Sequence, residues 1–93
     1  MQRLLAQTYL KSEAKAWLKY RNGTRDVVNI VPDTEQNDAA QSYEIYTAYE
    51  HSPVYMGRIL FDRQGYWIYN GTLLQVDEQE QLAHFIMTYV ERI

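Results

Sequence analysis

The sequence predicts an α+β fold: an antiparallel β-meander of about four to six strands, with a C-terminal amphipathic helix packed on one face and a short N-terminal helix. Three observations carry this prediction. From Leu82 the apolar residues Leu82, Phe85, Ile86, Tyr89, Val90 and Ile93 recur at i, i+3, i+4 and i+7, which is one face of a helix. Just upstream, Asp62-Arg63-Gln64-Gly65 has the Asp and Gly positions of a type I turn and sits between two aromatic-rich runs. Further back, Ser42 to Glu50 alternates Tyr43, Ile45, Thr47 and Tyr49 with Glu44, Tyr46, Ala48 and Glu50, the period of a strand.

Taken in order, residues 1–21 admit two readings. As a helix, Ala6, Tyr9, Leu10, Ala14, Trp17 and Leu18 make an apolar face and Asn22-Gly23 a stop. As a strand, Ala14, Ala16, Leu18 and Tyr20 alternate with Lys15, Trp17, Lys19 and Arg21, and Asn22-Gly23 becomes a two-residue hairpin turn. In that hairpin Lys19 faces Asp26 and Leu18 faces Val27. Lys11, Lys15 and Lys19 are like charges at i, i+4, which disfavours one long helix. The balance falls on a short helix over residues 2–12 followed by the hairpin.

Asp26 to Val31 is a strand on its β-branched content, and Pro32 ends it. Residues 33–41 are polar and acidic and read as a loop. His51-Ser52-Pro53 connects to a strand from Val54 to Asp62, in which Gly57 marks a bulge or a close approach by another group. Pairing Asp62 with Tyr66 sets Phe61 opposite Trp67 and Ile59 opposite Tyr69. Asn70-Gly71 predicts a type I′ turn into a short strand, Thr72 to Val76. Asp77 is the expected helix N-cap, with Glu80 returning a carboxylate in a capping box.

The chain of 93 residues is expected to form one domain over residues 1–93. Its 46% hydrophobic and 23% charged content is that of a folded protein. There is no cysteine, hence no disulfide framework and no thiolate metal site. The first residues show no apolar signal region and no stretch reaches membrane-spanning length, so a soluble, cytoplasmic protein with no membrane association is expected. A net charge of −3 disfavours nucleic acid as a partner.

No motif carries recognisable chemistry. His51 and His84 are the two imidazoles; His51 adjoins Ser52, but neighbours on an extended chain point to opposite sides and no nucleophile elbow is present. Asp33, Glu35 and Asp38 resemble a cation loop only loosely, since the internal glycine of an EF-hand is missing. Asn22-Gly23-Thr24 and Asn70-Gly71-Thr72 match a glycosylation pattern but are explained as turns. Catalytic residues, cofactors and metals are therefore not expected.

The compositional oddity is nine tyrosines and two tryptophans. Strands favour aromatics for packing alone, yet tyrosine also suits half-wet binding surfaces. Tyr43, Tyr46, Tyr49, Tyr55, Arg58, Trp67 and Tyr69 are the candidate binding face. The leading expectation is a non-enzymatic protein-interaction or accessory module, pairing with a protein partner or with itself as a homodimer. Alternatives are a single-stranded nucleic-acid binder, with Lys15, Lys19, Arg21, Arg25 and Arg58 on the backbone, and a small-ligand pocket near Gly57 and Trp67.

Overall fold

The computed structural model describes residue 10 and residues 12–33 and 40–89. Five strands, β1 (Ala14–Lys19), β2 (Arg25–Pro32), β3 (Ala40–Thr47), β4 (Tyr55–Asp62) and β5 (Trp67–Asn70), precede one helix, α1 (Val76–Thr88). Each strand pairs antiparallel with the next, so the sheet order is β1-β2-β3-β4-β5, a meander. Alternation then sorts the side chains onto two faces. On the inner face Leu18, Val28, Ile30, Ile45, Tyr43, Ile59 and Phe61 meet Leu82, Ala83 and Ile86 of α1, all buried in one core. Each such side chain contributes roughly 1.5–3 kcal/mol on burial.

The β4–β5 hairpin has the expected register, with Phe61 opposite Trp67 and Ile59 opposite Tyr69. Asp62 N–H donates to Tyr66 C=O at 2.9 Å, and Gly65, at φ 91°, donates its N–H to Asp62 C=O at 3.2 Å. The Asp62 carboxylate accepts from the N–H groups of Gln64 and Tyr66 at 2.9 and 3.0 Å. An aspartate at the first position is thus what closes the turn.

The β1–β2 hairpin forms, but its register differs by one residue from the sequence expectation. Lys19 faces Arg25, not Asp26, and Leu18 faces Asp26, not Val27. The turn takes a different form to match. A two-residue type I′ loop needs positive φ at Asn22, which Asn22 does not have. Instead Tyr20 N–H donates to Thr24 C=O at 2.8 Å, and Gly23, at φ 96°, donates its N–H to Tyr20 C=O at 2.9 Å. This is a three-residue loop of the same design as Asp62–Tyr66, with Asn22 Oδ1 accepting from Thr24 N–H and Oγ1–H. The shift matters because it decides which β2 residues share a face with Leu18. Val28 and Ile30 do, and both are buried; Val27, Asn29 and Val31 face the other way and are partly exposed.

Near the start of β4 the chain carries one extra residue. Ile45 faces Gly57, while Tyr46 faces Tyr55, leaving Met56 as the bulge. Gly57 has φ 106° and packs against the Tyr69 ring, so it marks both a bulge and a close approach.

After β5 no sixth strand forms over Thr72 to Val76, and Gly71 does not adopt positive φ. The Tyr69 hydroxyl accepts from the N–H groups of Leu73 and Leu74 at 3.3 Å, so a side chain satisfies donors that a ladder would otherwise take. Leu74 is buried in the core, which lifts the chain out of the sheet plane. The helix therefore starts two residues earlier than expected. Gln75, not Asp77, is the N-cap, and its N–H donates to the Glu78 carboxylate at 2.9 Å. Glu78 lies one turn before Leu82 on the core side, which is why it is buried and Glu80 is not. Asp77 instead faces Arg21 across an exposed 3.5 Å ion pair, of little energetic weight.

Of the expected N-terminal helix, residues 2–12, only Leu10 and Ser12 fall among the described residues, and neither is helical. Leu10 N–H donates to Ile86 C=O at 3.1 Å and its side chain joins the core. Ala40 and Gln41, expected in a loop, open β3; residues 34–39 lie outside the described residues, as do Val90 and Ile93 of the expected helical stripe. No described helix is long and apolar enough to cross a membrane.

Tyr20, at the end of β1, gives the fold a pH dependence. Its hydroxyl donates to Asp26 Oδ2 at 3.3 Å. Burial first, then the charge of Asp26, its hydrogen bond and the charge of Glu78, hold this phenol above its ordinary 10.0. The folded state thus keeps the proton to higher pH than the unfolded chain. The stabilisation is complete below about pH 10 and lost as pH rises through the folded value. Urea midpoints measured from roughly pH 8 to 11 are expected to fall at the alkaline end. Tyr20→Phe should flatten that fall; an unchanged slope in the variant would remove Tyr20 as its source.

Candidate functional site

The seven residues of the candidate binding face do not share a face. Tyr43, Trp67 and Tyr69 lie on the inner side. Tyr43 is buried, packs edge-on to Phe61 with centroids 5.7 Å apart, and donates its hydroxyl to Leu10 C=O at 2.9 Å. Trp67 and Tyr69 are half-buried against the core. The Tyr69 hydroxyl donates to Met56 C=O while its ring fills the space left by Gly57 and Gly71. These three side chains hold the fold together and present little to a partner.

Tyr46, Tyr55 and Arg58 lie on the outer side. Tyr46 and Tyr55 are cross-strand neighbours with centroids 5.4 Å apart, tilted at 55°. Arg58 Nη1 stands 3.8 Å from Glu44 Oε2 on the facing strand. Burial, the charge of Glu44, that of Tyr46 and a hydrogen bond to Glu44 raise the Tyr55 phenol, with Arg58 opposing them. Tyr49 stands apart, beyond the end of β3. It holds φ 61°, a conformation costly for a bulky residue, is 81% exposed, and has Lys15 Nζ 5.6 Å from its ring centroid.

Sequence reasoning missed the largest member of the outer face. Trp17 projects there from β1, 68% exposed, flanked by Lys15 and Lys19 and opposite Val27. Its two-residue spacing from those lysines, on the side opposite Ala16 and Leu18, was the signal available. Val31, Leu60 and Ile68 complete an aromatic and aliphatic surface that no described helix covers. Four cations share this side, Lys15, Lys19, Arg25 and Arg58, against Glu44, Asp62 at the turn and Asp33, which continues the ladder opposite Ser42. Lys15, Lys19 and Arg25 gather at the β1–β2 end of the face, although the chain carries −3 overall.

Asn29 sits in its midst, opposite Lys15 on one side and Tyr46 on the other. Its Oδ1 is shielded from solvent and accepts no hydrogen bond. An unsatisfied acceptor in a strand is a site where a β-branched apolar residue does better. Asn29→Val is expected to raise stability by about 1 kcal/mol, read from the urea midpoint. A loss of that size would show that the amide has a role in the fold.

Among the described residues no three His, Cys, Asp or Glu side chains are placed to hold a metal ion. His51 and His84 are both exposed, one in the connection after β3 and the other on the solvent side of α1. No known family model matches the chain, and no curated protein or solved structure is significantly similar to it.

Proposed function

We propose that this chain is a non-enzymatic protein-interaction module of the cytoplasm that associates with copies of itself. The observation that supports it is the apolar surface left open by a fold with a single described helix. Trp17, Tyr55, Tyr66, Ile68, Leu73 and Val76 are all exposed, and three of them lie on the outer face of the sheet or its edge strand. Large apolar side chains left exposed on an uncovered sheet face and its edge are a mark of interaction sites. Sedimentation velocity over a wide dilution series tests the reading. A concentration-dependent shift toward a dimer is expected, and a strict monomer at every concentration would overturn it.

A second reading rests on a different observation, the four cations that share the outer face with Trp17, Tyr46 and Tyr55. Single-stranded nucleic acid is bound by this combination, bases stacking on rings and cations following the phosphates. Titration with an oligothymidylate at low salt would quench Trp17 fluorescence, and the affinity would fall steeply with added salt. A flat titration with wild type would eliminate this alternative.

A further inference from the structure

The two edges of the sheet are treated differently. The edge at β1 is protected: Gln81 of α1 accepts the Lys19 N–H on its Oε1 at 2.9 Å and donates its Nε2–H to the Lys19 C=O at 2.7 Å. One side-chain amide thus stands in for a neighbouring strand, and Lys15 and Lys19 add charge along the same edge. Both are ways of stopping another chain from pairing there.

The edge at β5 has none of these devices. Its sequence, Trp67-Ile68-Tyr69-Asn70, contains no charge and no proline, and its pairing with β4 has no bulge. The bonded pairs run Asp62 with Tyr66, Leu60 with Ile68, and Arg58 with Asn70. In an antiparallel ladder the residues between them turn their N–H and C=O groups away. Those residues are Trp67 and Tyr69, whose main-chain groups bond to nothing described. Around this edge stand Tyr66, Ile68, Leu73 and Val76, half of the eight exposed large hydrophobics among the described residues, all within eleven consecutive residues from Tyr66 to Val76.

We infer that two copies of this chain pair along β5, edge to edge, joining two five-stranded sheets into one across a two-fold axis. This rests on the self-association proposed above and names its surface. The edge is complementary to itself. With the axis at Ile68, Trp67 of one copy faces Tyr69 of the other, and their free donors and acceptors match in four hydrogen bonds, two per pair. Ile68 meets its own counterpart on the outer face, an apolar cross-strand pair. The Asp62-Arg63 turn of one copy runs beside the uncharged Asn70-Gly71-Thr72 of the other, so no like charges oppose. A closed isologous pair results, and both exposed edges of the joined sheet are then β1 strands guarded by Gln81.

The test uses the full chain in sedimentation velocity and amide hydrogen exchange. Ile68→Lys replaces the apolar pair at the axis with two like charges facing each other and is expected to weaken association by at least about tenfold. His84→Lys, on the solvent side of α1 away from the edge, should leave the dimer intact. In wild type the Trp67 and Tyr69 amides should exchange slowly in concentrated protein and rapidly when diluted. Wild type that associates while those two amides exchange equally fast at all concentrations overturns the edge pairing and leaves self-association standing. A wild type that never associates overturns both. Should Ile68→Lys fail to fold, by circular dichroism, the wild-type amide comparison decides alone.

Discussion

Gly57→Ala should cost roughly 2–4 kcal/mol of stability, the sum of a strained backbone and a steric clash. At φ 106° an alanine would occupy a conformation that L side chains rarely adopt. Its Cβ would also lie 2.6 Å from Tyr69 Oη and 2.8 Å from Cζ, distances that require movement. The ring cannot swing aside freely, because its hydroxyl is tied to Met56 C=O and to the N–H groups of Leu73 and Leu74. Gly71→Ala meets the same ring, with its Cβ 2.5 Å from Tyr69 Oη, but without positive φ. Its loss should be smaller. A double-mutant cycle with Tyr69→Ala separates the two effects. In that background Gly71→Ala should be nearly neutral, whereas Gly57→Ala should keep its backbone penalty. Urea midpoints of the four variants check this; an unchanged midpoint for Gly57→Ala would contradict the bulge geometry.

Phe61→Ala should cost about 3–5 kcal/mol, the usual range for emptying a buried aromatic site. Phe61 is 1% exposed and receives the edge of Tyr43, whose own hydroxyl is anchored on Leu10. Tyr43 cannot collapse into the cavity without giving up that hydrogen bond. Against a total stability of about 5–15 kcal/mol for a domain of this size, the variant would stand near the limit of folding. Trp17→Ala, although it removes more atoms, should change stability by no more than about 0.5 kcal/mol, since its ring is mostly in solvent. Thermal and urea denaturation of the pair provide the comparison. Equal losses would mean that the two faces of the sheet are not inner and outer as described.

Much of this fold was legible because it is written in local chemistry. Asp62 and Gly65 specify their turn through hydrogen bonds four residues long at most, and the ladder beyond follows from it. Asn22-Gly23 was legible as a turn but not as a register, because two loop types suit the same pair. What separated them was the burial of Val28 and Ile30 beside Leu18, a contact between strands and helix that no short window contains. The helix stripe was legible from Leu82 onward. Its beginning was not, because Leu74 had first to find the core.

The candidate binding face was read from residue type, and type alone cannot say which way a tyrosine points. Tyr43 and Tyr46 sit three residues apart on one strand and end on opposite sides, one buried on Phe61 and the other beside Tyr55. The amino-acid sequence by itself determined five strands, the residues of the two hairpin turns, the body of the helix and the glycine at the bulge, since each depends on neighbours within a few positions. Only the tertiary structure decided register, helix start, the division of the aromatics and the contrast between a plugged edge and a bare one. Those depend on which face the helix covers and on Gln81 reaching Lys19 across 62 positions of chain, and such pairings exist only once the chain has closed on itself.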